Sequence, residues 1–275
     1  AGLRTALTAT NEGLRVLLLE KSEYYGGTTC YSAGTCWVPG SKYVEEAGLT
    51  NDLAKAETYL DALVGDRGPK EMWMAYLTNG PKMIDYMDAL GIRWIPFPGF
   101  VDYYPELEGS GRGYRALEPV PFDGRQLGDG LNRIRPPHPE FTVFGGMMID
   151  RTDINHLLAI KKSAKSFAHA VKILGHYGLD RLAGRRASRL VMGNALIGRM
   201  LLTLQKAGVA ILTDTSTKSF LTDESGVSGL VLESGGVERK VMAKSAVVLA
   251  AGGFGRGPRR AEMLHQPTPA YSPAA

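Results

Sequence analysis

The chain has 275 residues, 44% of them hydrophobic and 22% charged, which excludes an intrinsically disordered polyampholyte. Thirty-four glycines exceed the ordinary usage of about 7% without a collagen period, so they point to tight turns and close backbone approach to a ligand. A net charge of +4 suits an anionic cofactor as well as nucleic acid, and no nucleic-acid motif accompanies it.

The first residues read as a helix, with Leu3, Ala6 and Leu7 on one face and Asn11-Glu12-Gly13 as its stop. Leu14 to Leu19 follows as a near-continuous apolar run, expected to be a parallel strand buried on both faces, and it ends in Glu20-Lys21. Helix, glycine turn, buried strand and terminal acid are the second half of a βαβ dinucleotide-binding unit. The expectation is a chain truncated at its N-terminus, without the first strand of that unit.

Residues 24–40, YYGGTTCYSAGTCWVPG, come next. Gly26-Gly27-Thr28-Thr29 offers bare backbone N–H groups and small hydroxyls close to Glu20, chemistry that suits a diphosphate or ribityl chain. Ser32-Ala33-Gly34 continues the small-residue lining. A plain strand-to-helix turn is the alternative, and the acid-ended strand upstream weighs against it. Cys30 and Cys36 make neither a disulfide framework nor a metal site and read as reduced thiols of a cytoplasmic protein.

Asp52 to Val64 and Lys70 to Leu90 carry helical periodicity, the second expected to break at Gly80-Pro81. Ile92 to Phe100 reads as a strand or extended loop, and residues 101–151 as an irregular, Gly- and Pro-rich excursion. Residues 152–177 return to a helix with a basic face of Lys161, Lys162, Lys165 and Lys172, followed by Arg181, Arg185, Arg186 and Arg189. A solvated face is the favoured reading, with a peripheral membrane contact as the alternative. No apolar run is long enough for a transmembrane segment. Gly193 to Ala207 is an amphipathic helix closed by Gly208, and Val209 to Leu212 a short strand. Lys218–Leu221, Val227–Glu233 and Glu238–Ala243 form a meander around tight turns. Ser245 to Ala251 is expected to be a second buried strand, running into Gly252-Gly253.

Together, LRVLLLEKSEYYGGTTCYSAGTCWVPG, GNALIGRMLLTLQKAGV, ESGVSGLVLESGG and AVVLAAGGFG resemble the FAD-binding domain of the fumarate reductase/3-ketosteroid Δ1-dehydrogenase flavoprotein superfamily. FPGFVDYYPE and RALEPVPFDGRQLG resemble its ketosteroid branch. The resemblance implies an α/β fold: a Rossmann-like FAD-binding domain, parallel sheet plus β-meander, lacking its first strand and its substrate cap. Residues 1–275 would then be a partial FAD-binding domain with an irregular and helical excursion at about 101–190.

It implies FAD as cofactor, with Gly2 beside the pyrophosphate and Glu20 on the adenosine ribose. Gly26, Gly27, Thr28 and Thr29 would hold the diphosphate and ribityl region, and Ser32, Ala33 and Gly34 would line the flavin edge. Ser216 would make the adenine-side backbone contact; Ala251, Gly252 and Gly253 would pack against the adenosine half. Covalent flavin in this superfamily uses a His near the Gly-Gly-Thr segment. None lies between residues 1 and 137, so non-covalent FAD is implied. Tyr103, after Asp102, would assist a catalytic tyrosine base contributed by another part of the protein. The implied reaction is 1,2-desaturation of a small apolar, steroid-like ketone, with hydride passing to flavin N5 and onward to an unidentified electron acceptor. A fumarate reductase-like flavoprotein acting on another enoate or enone, and a non-catalytic FAD-domain fragment, are the alternatives.

Overall fold

A computed structural model describes residues 1–253 and 260–264. In chain order its elements are α1 (Gly2–Asn11), β1 (Leu17–Leu19), β2 (Cys36–Trp37), α2 (Lys42–Glu46), α3 (Asp52–Val64) and α4 (Lys70–Ala89). There follow β3 (Trp94–Pro96), β4 (Ala116–Pro119), β5 (Phe122–Asp123), β6 (Thr142–Val143), β7 (Met147–Met148), α5 (Arg151–Leu158), α6 (Ala164–Leu182) and β8 (Arg189–Leu190). Helix α7 (Met192–Lys206), β9 (Ala210–Leu212), β10 (Ser216–Asp223), β11 (Gly226–Ser234), β12 (Val237–Met242) and the short α8 (Arg260–Met263) complete the mixed α/β arrangement.

Helix α7 is the axle. Ten of its fifteen residues are buried, including every residue from Met192 to Gly198, so it is covered on all sides rather than amphipathic as its sequence suggested. One side packs Ala195, Ile197 and Leu201 against Cys30, Phe122, Leu131, Ile134 and Leu190. The other packs Leu196, Met200 and Leu204 against Ala6 and Leu7 of α1, Val38, Ile84 of α4 and Leu117 of β4. Leu3 of α1 touches both clusters. Burying side chains of this size contributes roughly 1.5–3 kcal/mol each, which is why so polar-poor a helix sits at the centre.

β1 and β9 pair in parallel, Leu17 with Ala210 through Leu19 with Leu212. The strand is shorter than Leu14–Leu19, and Leu17 is exposed, so the two-sided burial expected of it is not realised. The expected meander forms as the antiparallel order β10-β11-β12, with register irregularities between Thr217 and Ser219 and between Leu221 and Thr222. Within 101–151, which read as irregular, β4 is wholly buried as the middle strand of the order β2-β4-β3. The organising residue is Arg115, 1% exposed, with Nε on Asp52 (2.9 Å) and a guanidinium nitrogen on Asp102 (2.6 Å). Asp102 also accepts from the Trp37 indole (2.6 Å) and the Gly111 amide (2.7 Å). A long loop becomes ordered because this buried charge network holds it from three sides.

Three further expectations are corrected. Helix α4 runs unbroken through Pro81. The residue before a proline is normally driven from the helical region by its own Cβ; here it is Gly80, and Val38 lies where a Cβ would project. The helix expected at 152–177 is two helices. An Asp150/Asp153 capping box starts α5, and the Ser163 hydroxyl caps α6 by accepting from the Ser166 amide. Lys161 and Lys162 fall in the turn between them, and Arg186 and Arg189 are not on a solvated face. Arg186 donates to the Leu131 and Ile134 carbonyls, and Arg189 binds Asp150 and Asp153. Finally, Ser245–Ala251 is not a strand: Val248 and Leu249 are exposed, and among the described residues nothing pairs with it. An apolar run becomes a strand only as a member of a ladder.

Candidate cofactor site

Glu20 stands at the carboxyl end of β1, beside the end of β9, the position at which open α/β sheets receive ligands. Its amide donates to the Leu212 carbonyl (2.8 Å), and its own carbonyl accepts from Thr215 (3.1 Å). One carboxylate oxygen accepts from the Ser22 amide (2.9 Å), which fixes the side chain in a tight turn. Ser216 follows Thr215 at the start of β10, so the two residues expected at the adenosine end meet across β1 and β9.

The Gly-rich segment is built on α7. Gly26 has φ 109° and carries the chain into a short 3-10 turn, Gly27–Tyr31. A Cβ at Gly26 would meet the Cys30 sulfur and Ile197. Gly27 and Thr28 are exposed, Thr29 half-buried, and around Gly27 nothing lies within 4 Å of where a Cβ would stand. The Ser32 hydroxyl donates to the Thr29 carbonyl (2.9 Å) and accepts from the Gly34 amide (3.0 Å), so Ser32 closes the turn on itself. Ala33 packs against the core, and a Cβ on Gly34 would come within 2.8 Å of Gly193 backbone. Only glycine tolerates that approach at φ 66°.

Two residues that sequence reading passed over hold this segment. Gly193 donates to the Ser32 carbonyl (3.2 Å), and a Cβ there would overlap the Thr29 carbonyl oxygen. Asn194, fully buried, donates to the Cys30 carbonyl (2.9 Å). Their sequence signal was a helix start, and nothing in it named the loop 160 residues away as partner.

Gly2 opens α1, where a Cβ would lie 3.3 Å from Ala250 Cβ, so the N-terminal helix and the segment entering Ala251, Gly252 and Gly253 adjoin. α7 packs against both α1 and the 27–31 turn, and the two sets of bare amides share one floor. Residues 133–135 run alongside Tyr25 in a parallel bridge centred on Ile134. They bring two cations to the same end of the sheet: Arg133 donates to Thr213 Oγ1 (2.8 Å) and Arg135 to Ser22 Oγ (2.9 Å). Arg135 Nε is buried without a hydrogen-bond partner. These arginines lay in the stretch read as irregular and gave no sequence signal. Open amides, small hydroxyls, one carboxylate and two guanidiniums form a donor-rich set that fits a dinucleotide diphosphate with its ribose.

Tyr103 is 86% exposed. Its position is set by Asp102, whose bond to the Trp37 indole ties it to β2, the strand that begins two residues after Gly34. Nearby phenols are held neutral: burial pushes Tyr59 and Tyr76 above the usual tyrosine range. Burial also pushes the Cys30 thiol up to about 12 and Cys36 to about 11, so neither is a nucleophile, and both are free thiols. Among the described residues no cluster of metal-ligating side chains occurs, and no helix is long and apolar enough to cross a membrane.

A Gly-rich turn and an acid at the carboxyl end of a parallel strand pair are features that suit a dinucleotide-binding α/β protein. The FAD binding domain family matches residues 1–274, and the chain belongs to that family. It is 32% identical over 268 residues to a 3-oxosteroid 1-dehydrogenase of Comamonas testosteroni, covering 95% of this chain and 46% of that protein. It is 33% identical over 255 residues to a 4-oxocyclohex-2-ene-1-carboxylate 5-dehydrogenase of Sinomonas cyclohexanicum, covering 92% of this chain and 43% of that one. The crystal structure of the 3-ketosteroid Δ1-dehydrogenase from Sterolibacterium denitrificans, in complex with 1,4-androstadiene-3,17-dione, superposes with a TM-score of 0.85 at 30% identity. That match covers 98% of this chain and 49% of that one. The chain thus spans about half the length of the relatives it matches.

Proposed function

We propose that residues 1–275 are the FAD-holding part of a dehydrogenase that oxidises a CH–CH bond next to a ketone, with a flat, apolar, steroid-like 3-ketone as substrate. The observation that carries this reading is the shared floor of α7, on which α1 with Gly2 and the Gly27–Tyr31 turn both pack, with Glu20 at the end of β1, which packs against α1. Glu20 accepts hydrogen bonds from the adenosine ribose hydroxyls. The amides of Gly2, Gly26 and Gly27 and the hydroxyls of Thr28 and Thr29 hold the diphosphate and ribityl chain. Arg133 and Arg135 neutralise the diphosphate charge. Ser32, Ala33 and Gly34 lie along the flavin edge; the Ser216 backbone and Ala251, Gly252 and Gly253 flank the adenosine half. The bound flavin, held without a covalent link, supplies the hydride acceptor.

The α-proton leaves to a base outside this chain, and Tyr103 assists that base by sharing its proton, a role open to a phenol hydroxyl. Carbonyl donors and the dry slot for the substrate belong to the rest of the protein, as does delivery of electrons to the acceptor.

A second reading has specific support. The similarity to a dehydrogenase of a cyclohexenone carboxylate is of the same order as that to the steroid enzymes, so a smaller cyclic enone acid is the competing substrate class. Anaerobic titration of the intact, purified protein separates the two. A 3-ketosteroid should bleach the flavin absorbance with formation of the 1-ene product. Bleaching by a 4-oxocyclohexene carboxylate alone establishes the second reading, and an intact protein without bound flavin overturns both.

A further inference from the structure

The hairpin of α5 and α6 carries a surface that the cofactor site does not use. Helix α6 is 19 residues long, about 28 Å, yet buries only Ser166, Ala170, Ile173 and Asp180. At 100° per residue these four fall within a narrow stripe. The opposite side presents Phe167, Val171, Leu174, Gly175, Leu179 and Leu182, all exposed, Leu182 at 87%. No polar side chain interrupts that band. Lys165 and Lys172 border one edge of it and Arg181 the other, with Lys161 and Lys162 in the turn that leads in. Among the described residues none of these five makes an ion pair within 4 Å.

The acids show the same bias. Between residues 151 and 182 the only carboxylates are Asp153 and Asp180, and both point inward. Asp153 binds Arg189 and His169, and Asp180 accepts from the Ser188 amide and hydroxyl. The exposed half of the hairpin is therefore apolar and cationic with no surface acid. α5 continues it with Ile154 and with Leu158, 78% exposed.

We propose that this face seats on an anionic phospholipid bilayer, with α6 lying in the plane of the interface. Phe167, Val171, Leu174, Leu179 and Leu182 enter the acyl boundary, while the lysines and Arg181 reach the headgroup phosphates. An apolar band edged by cations, without acids, matches an anionic interface. A second copy of the same face would bring like charges together, which weighs against self-association. The proposal is independent of the substrate reading, since no residue in it touches the cofactor site.

The test is co-sedimentation of the intact, flavin-loaded protein with large unilamellar vesicles of phosphatidylcholine alone or with about 30 mol% phosphatidylglycerol. The native protein should pellet with the anionic vesicles and stay largely in solution with the neutral ones. Leu174→Asp with Leu182→Asp should weaken binding at least about tenfold, and Lys172→Gln about fivefold on anionic vesicles only. These positions are exposed, so the melting temperature and bound-flavin absorbance should stay unchanged and exclude misfolding. The proposal is overturned if the native protein remains in solution with both vesicle types. It is equally overturned if the double variant binds as tightly, or if native protein is a dimer that the double variant dissolves without any vesicle dependence.

Discussion

Helices α6 and α7 differ less in sequence than in fate. Both alternate small and large apolar residues over four or more turns, yet α7 buries ten of fifteen residues and α6 four of nineteen. α7 has neighbours on every side: α1, β4, β5 and the Gly27–Tyr31 turn. α6 packs chiefly on the short helix α5, with a few bonds from one face to the 144 and 188 loops. The lesson is that apolar content states how much surface a helix can hide, whereas its neighbours decide how much it does hide.

The sharpest way to break that contrast is at Gly193. Gly193→Ala would drive a methyl into the Thr29 carbonyl. Since the neighbour is backbone, the 29–34 segment must move. We expect FAD affinity, read by flavin fluorescence titration, to fall at least about tenfold, with a cost of several kcal/mol in stability. Leu201→Ala, in the buried run of α7, should lower the unfolding free energy by about 2–5 kcal/mol. Leu182→Ala on α6 should change it by no more than about 0.5 kcal/mol in the same denaturant titration. Equal losses would mean that the face of α6 is covered in the intact protein.

The anchor of α6 gives a pH signature. Burial raises the Asp153 carboxyl, but the Asp150 amide, His169 and Arg189 outweigh it and hold its pKa below the usual carboxylate range. A depressed folded pKa contributes stability that is present above the unfolded value near 3.9 and is lost as pH falls through the folded one. Asp150 runs the other way: burial and the neighbouring Asp153 charge raise it, so it resists ionisation. Asp153→Asn should cost about 3 kcal/mol at neutral pH by leaving Arg189 short of a partner. In melts across pH 2–5 (about that window) the variant should also lose part of its acid sensitivity. The smallest expected effect is chemical. With Cys30 pushed to about 12 and Cys36 to about 11, neither thiol should react with a thiol reagent at about pH 8 in the folded protein, and both should react once it unfolds.

Local signals carried well where the determinant was local. The meander was legible because Asp223–Gly226 and Gly235-Gly236 are turn chemistry between alternating residues. Helix α3 has the bounds its periodicity announced. The placement of the Gly26–Gly34 segment near Glu20 was legible because glycines and small hydroxyls after an acid-ended strand make a tight turn. Its support was not. Asn194, Gly193, Arg133 and Arg135 act on residues roughly 80 to 160 positions away, and no short pattern encodes such a pairing.

The sequence alone determined the turns, most helices and the small, donor-rich residues of the Gly26–Gly34 segment, because φ, side-chain size and hydrogen-bonding capacity belong to individual residues. Tertiary structure alone decided which apolar runs were covered. It centred α7, left α6 bare on one side, kept Ser245–Ala251 out of any ladder, and turned Arg115, Arg186 and Arg189 inward. Burial and strand pairing are relations between distant segments, and a charge buried with its partners costs less than its sequence neighbourhood implies.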